Sequence, residues 1–171
     1  MIKTNENLVL NVEGARILNG TFRNFAGEPD KFNPQGGARY FHFEIEDEEV
    51  ANKLREDGWN VKTWASREEG IEPTYYLKVK IGRYVQFVRM VSGKNVVDLI
   101  DDRAPEGVDP QESLGILDKA DIQAADLVIT PRRWDDGITA YLKSGWFIIE
   151  EDPFAYKYTM PNNRGEEEVP F

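Results

Sequence analysis

Apolar positions recur every second residue along most of the chain, the period of a strand with one face in a core. Leu8, Leu10 and Val12 alternate with Val9, Asn11 and Glu13 and predict a first strand. The run continues to Phe25, broken at Gly14 and Gly20, where a bulge or bend is expected. Residues 27–37, rich in Gly, Pro, Asn and Asp, read as a long loop. Residues 40–45 form a second strand, and 59–64 a short one. The clearest strand is 75–81, with Tyr75, Leu77, Val79 and Ile81 on one face and Tyr76, Lys78 and Lys80 on the other. Strands at 85–91 and 96–100 follow, joined through Ser92-Gly93-Lys94. Residues 125–130 and 138–149 read as a hairpin across 131–137, where Asp136-Gly137 is a strong turn signal.

Helical spacing enters once. Asp47 can cap a helix from Glu48 to about Glu56, with Glu48 and Glu49 in its first turn, Val50 and Leu54 facing the core, and Gly58 ending it. Residues 101–115 read as a loop, or a short helix at most. Trp59 and Trp64 face opposite sides of their strand, so one belongs to the core and the other to the surface; the pattern does not choose. Trp146 shares the Ala140/Leu142 face and is expected in the core, while Phe147 and Ile149 continue the Tyr141/Lys143 face. Many strands, one helix and long loops predict a mostly β fold: an OB-like antiparallel barrel with one interposed short helix. Residues 1–160 would form this domain. Residues 161–171 have no core-forming run and read as a disordered acidic tail.

Composition narrows the chemistry. The 171 residues include no Cys and one His, His42, which removes disulfides, thiol catalysis and Cys- or His-rich metal sites. His42 alternates with Tyr40 and Glu44 and reads as structural or solvated. No run approaches a membrane span, and the first residues lack the apolar stretch of a signal peptide. A cytoplasmic protein is expected, with no membrane partner and no cofactor. The net charge is −10, but it is unevenly spread. Residues 73–97 hold five cations (Lys78, Lys80, Arg83, Arg89, Lys94) and no acid, whereas 98–126 hold nine acids against two cations.

That basic stretch matters because a groove for single-stranded nucleic acid needs cations for phosphates and aromatic rings for bases. Tyr76, Lys78 and Lys80 supply both on one face. The 125–149 hairpin repeats the theme, with Arg132, Arg133 and Trp134 at its tip and Tyr141 and Lys143 on one face of its second strand. Arg89 adds a cation, and Arg23 beside Phe25 could pair with phosphate and stack. A merely solvated strand face satisfies the same alternation. No phosphate-cradling glycine motif occurs.

The chain ends Glu166-Glu167-Glu168-Val169-Pro170-Phe171, an acidic run followed by apolar residues and a terminal Phe. Physically this is a peptide ligand for an apolar pocket with a basic rim. It resembles the acidic tip of bacterial single-stranded DNA-binding proteins, with Glu for Asp and Val for Ile. The body resembles phage-type single-stranded DNA-binding proteins through Arg23-Asn24-Phe25, residues 57–62, Tyr76-Leu77-Lys78-Val79, and the stretch from Ala125 through Trp134 to Lys143. It departs from the ordinary bacterial protein by a longer loop after the first strand and an added segment from 85 to 124.

The resemblance implies a non-catalytic protein that coats single-stranded DNA during replication and recombination in a bacterial host. Its tail would recruit replication, recombination or repair enzymes. Single barrels of this function commonly act as dimers or tetramers, but no homo-oligomer interface is legible. Two other readings use the same residues differently. An acidic protein that imitates DNA would explain the net charge but not the Tyr76/Lys78/Lys80 face. A metal-dependent nuclease would need convergent carboxylates, and the sequence fixes no such set.

Overall fold

The computed structural model describes residues 1–31, 33–65, 68–101 and 110–150, with the backbone alone at 101 and 110–113. The expected acidic tail lies outside the described residues. Among the described residues are ten strands: β1 (Ile2–Thr4), β2 (Leu10–Ala15), β3 (Arg23–Asn24), β4 (Tyr40–Ile45), β5 (Lys62–Trp64), β6 (Thr74–Lys80), β7 (Phe87–Ser92), β8 (Asn95–Asp101), β9 (Ile122–Trp134) and β10 (Gly137–Ile149). Helix α1 spans Glu48–Asp57 and α2 spans Pro110–Lys119. Neither is long and apolar enough to cross a membrane.

The fold is mostly β and OB-like, as the alternation predicts. One sheet runs in the order β1-β2-β9-β10-β6-β4-β3, with β5 added to β6 and the β7–β8 hairpin added to β10. The sheet is not closed by strand pairing. Its flanks meet at an isolated bridge, Ile17–Phe43, where Leu18 N–H donates to His42 O (3.0 Å) and Glu44 N–H donates to Arg16 O (2.9 Å). Pairing is not antiparallel throughout: β10 runs parallel to both β6 and β7. The chain between β6 and β10 is long enough to cross over and return in the same direction.

Helix α1 follows the sequence closely. Asp47 Oδ1 accepts from Val50 N at 2.8 Å, and Gly58 ends the helix with φ 107°, a conformation that glycine adopts without a Cβ clash. Ala51 and Leu54 enter the core. Helix α2 is longer than the loop-or-short-helix expectation allowed. Leu114 and Leu117, three apart, are fully buried, and tertiary packing outweighs the helix cost of Gly115 between them.

The core gathers Phe25, Phe41, Phe43 and Phe147, all fully buried. Phe25 stacks on Phe41 at 5.3 Å, and both meet Phe147 edge-on, at 5.4 and 5.5 Å. The position of Phe147 and that of Trp146 correct the face assignment from alternation. Pairing of β10 with β9 shifts between Leu142 and Ser144, a bulge that leaves Lys143 without a partner on β9. The shift turns every later side chain over. Phe147 therefore enters the core, and Trp146 moves to the outer side, against Phe87 (5.9 Å) and the Arg89 guanidinium (4.9 Å).

Candidate nucleic-acid interface

The outer face of β4, β6 and β10 is built by register. Tyr40 pairs with Lys80, and Lys80 with Tyr141, so these three side chains form a row across three strands. His42 pairs with Lys78, and Tyr76 lies between Glu44 on β4 and Lys62 on β5. Their inward neighbours Phe41, Phe43, Leu77, Val79 and Ala140 are buried, which fixes the phase of every strand.

Aromatic rings cover one half of this face. Tyr76 meets Phe22 at 5.3 Å and His42 at 5.4 Å; Phe22 also meets His42 (5.2 Å) and Trp64 (5.9 Å). Trp64 is 60% exposed whereas Trp59 is buried, so Trp64 is the surface tryptophan of the pair. Lys78 Nζ sits 4.3 Å above the Tyr40 ring. Next to it, Arg39, Lys78, Lys80 and Tyr141 line a cleft of about 450 Å³. The Arg39 Nε is buried with no hydrogen-bond partner among the described residues. The 27–37 loop borders this cleft through Asp30 and Asn33, and Tyr40 Oη donates to Asp30 Oδ2 at 3.2 Å.

The electrostatics favour an anion. Partial desolvation lowers the Lys78 pKa although the residue reaches solvent, and the like charges of Lys80 and Lys62 lower it further while Asp30 opposes them. Three ammonium groups held this close attract a phosphate more strongly than the net charge of the chain would suggest.

His42 is held neutral chiefly by burial, with Lys78 and Lys62 adding to the effect and a 2.8 Å hydrogen bond between Nδ1 and Phe22 O opposing it. Its folded pKa therefore lies below the usual 6.5. The unfolded chain binds the proton first as pH falls, so the stability linked to His42 is complete above 6.5 and gone once pH drops through the lowered folded value. Urea melts at pH 7.5 and 5.5 are expected to show a lower midpoint at 5.5. His42→Gln should shrink that difference, and an unchanged difference would sink this assignment.

The structure brings Tyr76, Lys78, Lys80 and Tyr141 together on this face. Arg132 and Lys143 lie beyond Tyr141, around a second cleft. Trp134, 52% exposed, stands at the hairpin tip under the Arg132 guanidinium (4.7 Å) and donates from Nε1 to Thr139 Oγ1 at 2.8 Å. Arg133 is exposed but pairs in register with the buried Ile138, so alternation sets it on the other side of the strand from Arg132 and Trp134.

Three more expected contacts are placed elsewhere. Phe25 is wholly inside the core. Arg23 is 8% exposed, and its guanidinium is used internally: Nε donates to Leu18 O (2.9 Å), Nη1 to Leu117 O (3.2 Å) and Ala120 O (2.7 Å), and Nη2 to Asn19 Oδ1 (2.6 Å). It caps the carbonyls at the end of α2, while Asp118 accepts from Phe25 N and Ala26 N at 2.7 and 3.0 Å. Arg89 forms a 2.7 Å ion pair with Asp98 across the β7–β8 hairpin and covers Phe87 on β7 and Trp146 on the adjoining stretch of β10. None of the three belongs to the β4–β6–β10 face.

Conversely, Phe22, Arg39, Tyr40, Lys62 and Trp64 belong to the face without having been singled out as contacts. Tyr40 was within reach, because it alternates in phase with His42 on a strand whose other face is Phe41 and Phe43. Among the described residues, no group of three or more His, Asp or Glu side chains converges to hold a metal ion.

No curated protein and no solved structure matches the chain. A family model does, under the description "Putative phage ssDNA-binding domain", over residues 2–168, which takes in the whole face just described and stops short of Val169-Pro170-Phe171. With nearly its full length matched, the chain belongs to the phage single-stranded DNA-binding domain family.

Proposed function

We propose that this protein coats single-stranded DNA, with little sequence preference, on the outer face of β4, β6 and β10 during replication or recombination in a bacterial host. The observation that carries the reading is the in-register row Tyr40–Lys80–Tyr141, flanked by Lys78 and the Tyr76–His42–Phe22–Trp64 ring cluster. Rings without a fixed hydrogen-bonding edge stack on any base, and lysines neutralise phosphates regardless of sequence. An OB-like barrel commonly uses its second and third strands, here β4 and β6, for this purpose. The role needs no catalytic group. The tail residues Glu166–Phe171 would recruit a replication, recombination or repair enzyme and would compete weakly with DNA for the basic face.

The test is fluorescence anisotropy of labelled oligo(dT) titrated with the full chain at two salt concentrations, with duplex of equal length as competitor. Tight binding that duplex does not displace is expected, with log K falling by about 0.7 per neutralised phosphate for each decade of salt. Deletion of residues 161–171 should tighten binding. No binding at micromolar protein and low salt would overturn the reading and turn attention to the acidic surface.

A further inference from the structure

Tyr141 ends the row on the outer face, but its ring also lines a second cleft, of about 600 Å³, on the far side of Gly82. The two clefts share Gly82 and Tyr141, so they are consecutive stations along one surface. A Cβ at Gly82 would come within 3.3 Å of the Tyr141 ring. Glycine there leaves the ring unobstructed where one cleft passes into the next.

The second cleft has a different chemistry from the first. Tyr84, Val85 and Pro131 give it an apolar lining beside Tyr141. Arg83, Arg132 and Lys143 stand around it, and among the described residues none that lines it is acidic, in a chain of net charge −10. Its volume lies in the range of small-molecule clefts, roughly 300–1,000 Å³. The wall that carries Tyr84 is tied down at its base: Gln86 N donates to Lys143 O at 2.7 Å, using the residue that the β10 bulge leaves without a partner on β9. Tyr84 itself is 84% exposed, with the Arg83 guanidinium 5.9 Å from its ring. A large exposed ring beside an apolar cleft, with cations next to it, is a stacking platform.

We infer that this second cleft takes an unstacked base of the same DNA strand, with Tyr84 and Tyr141 as its aromatic walls and Arg83, Arg132 and Lys143 meeting the phosphates on either side. The inference rests on the outer face being the single-stranded DNA site. It extends that site around the edge of β10, so the bound strand is longer than the β4–β6 face alone would hold. A duplex is excluded from the cleft, because a base stacked within a duplex presents no free face.

The test is an oligo(dT) length series measured by anisotropy with the full chain, its Tyr84→Ala variant and its Tyr84→Phe variant. Because Tyr84 is exposed, neither substitution should alter the melting temperature. Tyr84→Ala is expected to weaken binding of the longer oligomers by about 5-fold or more, to leave the shortest bound oligomers unaffected, and Tyr84→Phe to retain full affinity. Equal affinity of Tyr84→Ala and the unaltered chain at every length would overturn the second cleft while leaving the outer face intact. If the unaltered chain binds no oligomer of any length, the outer-face reading and this inference fall together.

Discussion

Reversing two charges, Lys78→Glu with Lys80→Glu, is expected to weaken binding of single-stranded DNA by about 100-fold or more. Each lysine in contact with a phosphate contributes a charge-assisted hydrogen bond worth roughly 1.5–3 kcal/mol, so losing both reaches that range before repulsion by the new carboxylates is added. The loss should be the same on oligo(dT) and on mixed sequence, because phosphate contacts carry no sequence information. The slope of log K against log salt should flatten by about 1.4, two contacts at about 0.7 each. Folding should survive. Both side chains are exposed, and their removal relieves the crowding with Lys62 that helps to lower the Lys78 pKa. Arg89→Glu is the control: Arg89 lies in the same basic stretch of sequence but is already paired with Asp98 at 2.7 Å, on another part of the sheet. Equal losses from Arg89→Glu and the lysine pair would mean that net charge, rather than this face, governs binding. Unchanged affinity in the lysine pair would remove the face from consideration.

The contrast between Lys78 and Arg89 shows what sequence can convey. Alternation within one strand is a local property, and it places Lys78 and Lys80 correctly on the surface opposite Leu77 and Val79. The capping of α1 by Asp47 and its end at Gly58 are equally local. What alternation cannot carry is pairing between distant segments. Asp98 neutralises Arg89 from the next strand, and α2 receives the Arg23 guanidinium from 94 residues away. The bulge at Lys143 is a third case: one residue out of phase turns Trp146 outward and Phe147 inward. The candidate face itself was half legible. Tyr76, Lys78, Lys80 and Tyr141 stand out in their own strands. Tyr40 also alternates onto the surface of its own strand, but only the β4–β6 and β5–β6 registers bring Tyr40 and Trp64 alongside the others.

Phe25 supplies the largest expected effect on stability, and it separates core from interface. Its ring is fully buried between Phe41, parallel at 5.3 Å, and Phe147, edge-on at 5.4 Å. Phe25→Ala removes a ring from the centre of the core and leaves a cavity that its neighbours fill only in part, at a cost of about 3–5 kcal/mol. Against a total stability of roughly 5–15 kcal/mol, that is a large fraction. For a chain of this length the melting temperature should fall by roughly 6–20 °C. The backbone at Phe25 is also tied to α2, through the bond from Phe25 N to Asp118 Oδ1, so loosening the ring also loosens the clasp between β3 and the helix. Phe25→Leu retains most of the volume and should cost clearly less than Phe25→Ala. The leucine variant is the informative one. If Phe25 is core, Phe25→Leu folds and binds oligo(dT) as the unaltered chain does, whereas Tyr76→Ala loses affinity by about 5-fold or more with a smaller change in melting temperature. A leucine variant that melts normally but binds DNA poorly would return Phe25 to the binding surface. Its ring would then have to leave the Phe41–Phe147 contact to meet a base.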